Sequence, residues 1–219
     1  MERIVKPKKI FNQDSEEKFD EARIIGGNPT GIINFNKTNH SWATTIYKLM
    51  EKRTWFPSQV SITKDIANYL LLTEEEKRTY DLTLAQLISN DSIQTNQLMD
   101  RINSYITSPV VNACLSRQAC EEANHSFCYS VMAEDICQDT DRIYTLHHHD
   151  EELAIKNKAV EDMFEDLNSD LNSITNKDML IAFAANQILE ELIFPGGFVA
   201  LYSLEEKMKG TSEMIMEIN

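Results

Sequence analysis

The most constraining feature of this sequence is a set of apolar stretches with helical periodicity, each far longer than an ordinary helix. Thr73-Glu74-Glu75-Glu76 opens the first of them as a capping box: the Thr hydroxyl takes up free amides of the first turn, and Glu76 reaches back to the entering chain. Behind it Tyr80, Leu84, Leu87 and Ile88 recur at three- and four-residue intervals, and the pattern holds to about Ile106. That run is roughly 30 residues, against a usual helix of about 12. Ser108-Pro109 starts a second helix that reaches Ile136. A third, more acidic one runs from about Asp139 to Leu167, and a fourth from about Asn176 to Leu204. Thr211 is expected to cap a fifth. A shorter helix covers about Thr38 to Lys52 and is broken by Trp55-Phe56-Pro57. There is no strand pattern and no internal repeat, and 6 Gly and 5 Pro are too few for the turns of an all-β chain. Long helices joined by short turns bury their apolar stripes only against one another, so the fold is predicted to be all-α, a helical bundle.

The 219 residues suffice for one sizeable core. Residues 1–25 are polar and are expected to be loosely ordered, and 26–219 to form the bundle. Between them Gly26-Gly27-Asn28-Pro29-Thr30-Gly31 reads as a loop; it lacks the Lys-Ser/Thr that would make it a phosphate loop. A net charge of -14 argues against nucleic acid and against an anionic membrane surface as partners. No apolar run approaches the roughly 18 residues of a membrane span, and the charged N-terminus has no apolar core of a signal peptide. Cys114, Cys120, Cys128 and Cys137 form no CxxC pair and fall in one helical region. Reduced thiols in a cytoplasmic compartment are therefore expected, the host cytoplasm if the source is viral.

Polar residues inside such helices carry the functional signal. Glu122-Ala123-Asn124-His125 puts a carboxylate and an imidazole on one helix face. In ferritin-like bundles this step supplies ligands to a di-iron or di-manganese centre. The helix around it is rich in small and apolar residues: Ala119, Cys120, Ala123, Phe127, Cys128, Val131 and Met132. A buried charged pair needs a partner, and a metal is a good one. Asp91 lies mid-helix upstream, where aspartate has poor propensity. Glu190 and Glu191 lie among apolar residues downstream, and one of them should face the core. Oxygen ligands with an imidazole suit iron or manganese. His147-His148-His149 sits in an acidic stretch with few apolar neighbours and reads as solvated surface; His40 reads as a surface or packing residue.

Three segments together, Asp91-Ser92-Ile93-Gln94, Glu122-x-x-His125-x-x-x-Tyr129 and Leu189-Glu190-x-x-x-Phe194-x-x-x-Phe198, resemble the small (beta) subunit of class I ribonucleotide reductase, in order and in spacing. Trp55-Phe56-Pro57 resembles the Trp-x-Pro segment of that family. The resemblance, which runs from about residue 26 onward, implies a ferritin-like bundle. It implies Asp91, Glu122 and His125 as ligands of one metal, with Glu122 bridging, and Glu190 as a ligand of the second. It further implies Tyr129 as the residue oxidised to a stable tyrosyl radical, Phe194 and Phe198 as its apolar shield, and Trp55 on the electron-transfer route to the large (alpha) subunit. The implied reaction is reduction of ribonucleotides to deoxyribonucleotides, carried out by a homodimer with the large subunit. An oxidase or iron-storage protein of the same architecture is disfavoured by Tyr129 and Trp55.

The sequence departs from the family in two places. Met214 to Asn219 resembles the approach to an Arg-Asp-Glu-x-x-His motif that supplies the remaining ligands, and that motif is not among these residues. The preferred expectation is a split subunit whose C-terminal fragment is a separate polypeptide that completes the centre. The alternative is an inactive truncated remnant keeping only structural or dimer contacts. Ser58-Gln59 stands where many family members carry a Glu pair, and Gln59 cannot ionise.

Overall fold

The computed structural model describes residues 4–164 and 173–218. Among these residues regular structure is helical, and backbone pairing outside helices is limited to two isolated antiparallel bridges, Ile4 with Thr175 and Ile25 with Ile106. We number the main helices α1 (Ser41–Lys52), α2 (Thr63–Tyr69), α3 (Glu74–Gln97), α4 (Pro109–Val131), α5 (Thr140–Thr145), α6 (Glu151–Asp162), α7 (Asn176–Ile188), α8 (Phe194–Tyr202) and α9 (Lys209–Ile218). α2 has no counterpart in the sequence reading.

The capping box forms as expected. The Glu76 amide donates to Thr73 Oγ1 at 3.3 Å, and the Thr73 amide donates to Glu76 Oε2 at 2.8 Å. Such a cap is worth about 1 kcal/mol, and Lys207 adds an ion pair to Glu76 at 2.6 Å. Three of the long runs contain π-helical turns that periodicity did not foretell: Leu98–Ile102 after α3, Met132–Cys137 after α4, and Leu189–Ile193 between α7 and α8. A π turn inserts one extra residue and re-aims the side chains around it. The predicted third helix is interrupted. α5 gives way to a tight turn at Leu146–His148, and α6 restarts where the Asp150 carboxylate accepts from the Leu153 amide at 3.0 Å. Its predicted end at Leu167 lies outside the described residues.

The chain forms two compact units. The first comprises the described parts of Met1–Thr54, Gln94–Glu121 and Met163–Ala184. Ile102, Tyr105, Ile106, Ile174 and Met179 are buried in it. The described N-terminal residues are pinned: Val5 and Ala22 are buried, the Val5 amide donates to Ile174 O at 2.7 Å, and the Lys8 amide to Ser104 O at 2.8 Å. His40 is a packing residue, with Nδ1 3.0 Å from Ser108 Oγ.

The second unit comprises Trp55–Ile93, Glu122–Asp162 and the described part of Ala185–Asn219. Tyr80, Leu84, Met132, Ile136, Leu189, Leu201 and Ile215 are buried in it. Gly197 allows close approach of α8 to α3, because a Cβ there would stand 3.1 Å from Leu87 Cδ2. Arg142 of α5 clamps Asp81 of α3 at 2.7 Å, and Asp81 in turn accepts from the Tyr69 hydroxyl at 2.7 Å. Contrary to the sequence reading, Thr211 does not cap the start of α9. Instead the buried Asp65 carboxylate of α2 accepts from the Gly210 and Thr211 amides at 3.1 and 2.6 Å, while the Thr211 hydroxyl meets Tyr80.

The run Asn176–Tyr202 is long and apolar enough to meet the composition test for a membrane span, where the sequence had suggested that none would. It carries Glu190 and Glu191, and its length comes from two helices joined through the π turn.

All four cysteines are free. Burial pushes the Cys128 and Cys137 thiols up to about 12, so almost no thiolate is present at neutral pH, and the thiolate is the reactive form. A thiol probe on the folded chain should label exposed Cys120 first and leave Cys128 and Cys137 unmodified until denaturant is added. Mass mapping of the labelled peptides checks this; early labelling of Cys128 would contradict the described packing.

Candidate metal centre

The site is built by helical phase. Tyr80, Leu84, Leu87 and Asp91 follow one another at intervals of four, three and four on α3, so Asp91 continues a buried stripe. It is 1% exposed. On α4, Ala119, Glu122 and Tyr129, continued by Met132 in the π turn after it, form the inward stripe, and all are buried. The phase also corrects the sequence reading. Cys120, Ala123 and Phe127, taken there as part of an apolar surround, lie on the other side of α4, and Phe127 is 61% exposed. Of the two neighbouring glutamates, Glu191 is exposed and accepts from Gln187 at 3.1 Å, while Glu190 is partly buried.

Asp91, Glu122 and His125 converge: each offers a ligand atom, and these atoms all lie within 4.8 Å of one another. His125 Nδ1 is 3.1 Å from Glu122 Oε2 and 3.9 Å from Asp91 Oδ2. Burial, then the charges of Glu122 and Glu190, holds the Asp91 carboxyl well above its ordinary range. Glu190 is thus electrostatically part of the same cluster. Both Asp91 oxygens are buried, and among the described residues neither has a hydrogen bond of regular geometry; the Tyr129 hydroxyl is close enough only to lower the raised carboxyl in part. A carboxylate in that situation is costly unless a cation takes its lone pairs. Several oxygen donors and one imidazole, closely spaced and largely dry, fit a divalent iron or manganese ion.

Tyr129 is fully buried one helical turn beyond His125. Desolvation, then the field of Asp91, holds its phenol well above the ordinary value. The hydroxyl makes no regular hydrogen bond. The Phe194 and Phe198 rings are buried and stacked, with centroids 6.1 Å apart and planes 14° apart. Trp55 is buried, and its carbonyl accepts from Asn124 Nδ2 at 3.0 Å, which ties it to the helix of the Glu-x-x-His step. Gln59 has a structural use: its Oε1 accepts from the Phe56 amide at 2.8 Å and closes the turn Pro57–Gln59. The His147 and His148 rings lie with centroids 4.0 Å apart and planes tilted by 46° in the α5–α6 turn, and among the described residues neither belongs to a metal-sized cluster. Asn90 was missed by sequence reading. Its amide is buried beside Asp91 with neither atom hydrogen-bonded, and nothing in the local sequence distinguishes it from a solvated helix asparagine.

Fold and site together define a ferritin-like helical protein with an internal carboxylate–histidine cluster. The chain belongs to the family described as ribonucleotide reductase, small chain, whose profile matches residues 32–219. It is similar to the ribonucleoside-diphosphate reductase subunit beta of Treponema pallidum, with 33% identity over 99% of this chain and 62% of that protein. It is also similar in structure to the ribonucleotide reductase R2 subunit of Clostridium botulinum, with a TM-score of 0.91, 30% identity, and coverage of 99% of this chain and 68% of that one. A dimanganese(II)-NrdF of Streptococcus sanguinis shares the fold with a TM-score of 0.72 at 18% identity, over 85% of this chain and 64% of that one. The chain thus spans less than two thirds of the length of the Treponema relative.

Proposed function

We propose that this chain houses part of the dinuclear metal centre and the tyrosyl radical of a class I ribonucleotide reductase, as the N-terminal portion of its small subunit. The observation that carries this reading is the convergence of Asp91, Glu122 and His125 one helical turn from a fully buried tyrosine. Asp91, Glu122, His125 and Glu190 would hold iron or manganese, and Tyr129 would carry the radical. A metal pair held there would, with dioxygen as the oxidant, supply the oxidising power for a one-electron oxidation of Tyr129. The chain's own residues then set the conditions. Burial keeps the phenol protonated, so the electron leaves together with a proton, and Asp91 is the carboxylate with the strongest field at that hydroxyl. Phe194 and Phe198 would keep water and reductants away, and Trp55 would pass the oxidising equivalent toward the large subunit, where ribonucleotides are reduced to deoxyribonucleotides. The Glu-x-x-His step that resembles the family's second set of ligands is not among these 219 residues. The remaining ligands would come from a C-terminal segment outside these residues, in a homodimeric assembly with the large subunit in the cytoplasm.

The test is to co-express this chain with such a fragment, load Fe(II) in air, and record an electron paramagnetic resonance spectrum before assaying with the large subunit. Wild type is expected to give a tyrosyl signal and turnover. Tyr129→Phe should bind metal undiminished but lose the signal and essentially all turnover, because phenylalanine has no oxidisable phenol. A signal that survives in Tyr129→Phe assigns the radical elsewhere. Failure of the two fragments to associate supports an inactive remnant.

A further inference from the structure

The first unit holds a cavity of about 550 Å³ between the N-terminal segment, the Gly26–Gly31 loop and the turn ahead of α4. Three lysines line it, Lys6, Lys8 and Lys9, and among the described residues no aspartate or glutamate does; Glu17, off the lining, is engaged by the Asn28 amide at 2.6 Å. The chain as a whole has a net charge of -14, so a concave surface whose described charged side chains are all cationic is a sharp local reversal. Among the described residues none of the three ammonium groups is in a salt bridge. Lys8 Nζ has only Asn103 Oδ1, at 3.3 Å, and Lys9 Nζ only Asn12 Oδ1, at 3.2 Å. Lys8 is half-buried, and the lost hydration lowers its pKa with no carboxylate to offset it. A partly desolvated cation without a counter-charge is unfavourable and is relieved by an anion.

The walls are built rather than loose. Backbone hydrogen bonds fix the segment on either side, from the Val5 amide to Ile174 O and from the Lys8 amide to Ser104 O. Gly31, at a φ of +89°, packs so closely that a Cβ would stand 2.5 Å from Ile10 O. The cavity also has apolar walls that face solvent: Ile10 is 94% exposed and Ile33 52%. An inorganic anion would leave those walls uncovered.

We propose that this cavity binds a small phosphate ester with a flat or apolar body, its phosphate on Lys6, Lys8 and Lys9 and its body against Ile10, Ile33 and Pro109. Lysines act as point charges that suit a doubly charged phosphate. The volume falls in the range of ordinary small-molecule sites, about 300–1,000 Å³. This site uses none of the metal-centre residues, so its test is independent of the radical chemistry.

The experiment is isothermal titration of the 219-residue chain with 1-naphthyl phosphate, with 1-naphthol and inorganic phosphate as the two half-ligands. The ester is expected to bind at least roughly tenfold tighter than either half, and to weaken several-fold as ionic strength rises. Lys8→Met keeps the apolar stem and removes the charge, and should weaken the ester roughly tenfold while leaving 1-naphthol unchanged. If circular dichroism shows that Lys8→Met does not fold, the exposed pair Lys6→Met and Lys9→Met takes its place, with the same expected loss. Affinity that is indifferent to these lysines, or to salt, or an ester no tighter than 1-naphthol, overturns the proposal.

Discussion

Asp91→Asn is expected to make the metal-free chain more stable and at the same time to abolish most metal-induced stabilisation. The substitution is nearly isosteric. It removes a carboxylate that is buried, lacks a hydrogen bond of regular geometry among the described residues, and faces the like charges of Glu122 and Glu190. An unsatisfied buried polar group costs about 1–3 kcal/mol, and more when charged, so a gain of about 1–3 kcal/mol in unfolding free energy is expected without metal. The pH dependence has a definite sign. Because the Asp91 carboxyl is raised in the folded state above its ordinary 3.8, the folded form binds the proton more tightly than the unfolded form. Its effect on stability therefore becomes unfavourable as pH rises from near 4 through the raised value. The asparagine variant lacks that loss. With Mn(II) or Fe(II) present the order should reverse, since a ligand that binds only the folded state stabilises it by mass action. Urea unfolding of both proteins across pH, with and without metal, measures all three effects. A variant that is less stable than wild type without metal would show that Asp91 serves the fold and not a cation.

Asp65→Ala should cause a large loss of stability centred on α9. One carboxylate binds two buried amides at the helix N-terminus, where the helix dipole also favours negative charge. Charge-assisted hydrogen bonds are each worth about 1.5–3 kcal/mol, so a total of about 3–5 kcal/mol is expected. With a urea m-value of about 2–3 kcal/mol/M, the midpoint falls by about 1–2 M. Hydrogen exchange should show early loss of protection over 209–218. Asp65→Asn keeps one acceptor and should lose less. Gly210→Ala tests the same junction from the other side, because its Cβ would stand 2.5 Å from the Ser61 carbonyl oxygen, and backbone cannot rotate away. A loss under about 1 kcal/mol for Asp65→Ala would mean that α9 is held by its apolar face alone.

Much of the bundle was legible in the sequence because its signals are local. The capping box at Thr73 lies within four residues, and the stripe from Tyr80 to Asp91 follows from 3.6 residues per turn. The Glu122–His125 step needs only one turn of helix to bring its two side chains together. The same rule carries Tyr129 to the buried side of α4. Local signals could also mislead. Phe127 is apolar and near the site in sequence, yet its phase on α4 turns it to solvent, and only the packed helix shows which stripe is covered.

The rest depended on groups far apart in the chain. Asp65 caps a helix by accepting from an amide 145 positions later, so Thr211, the obvious local cap, instead meets Tyr80. Periodicity left Glu190 and Glu191 open, and only the family spacing favoured Glu190; in the packed structure Glu190 is partly buried and Glu191 exposed. The N-terminal segment reads as loose because its own residues are polar, but it is fixed by amides bonded to Ser104 and Ile174. Hydrogen bonding and apolar period within a helix act over a few residues, so sequence determined the helices and most of the ligand spacing. Which face is buried, which distant carboxylate caps a helix, and where three lysines gather without an acid depend on long-range packing, and the tertiary structure alone decided them.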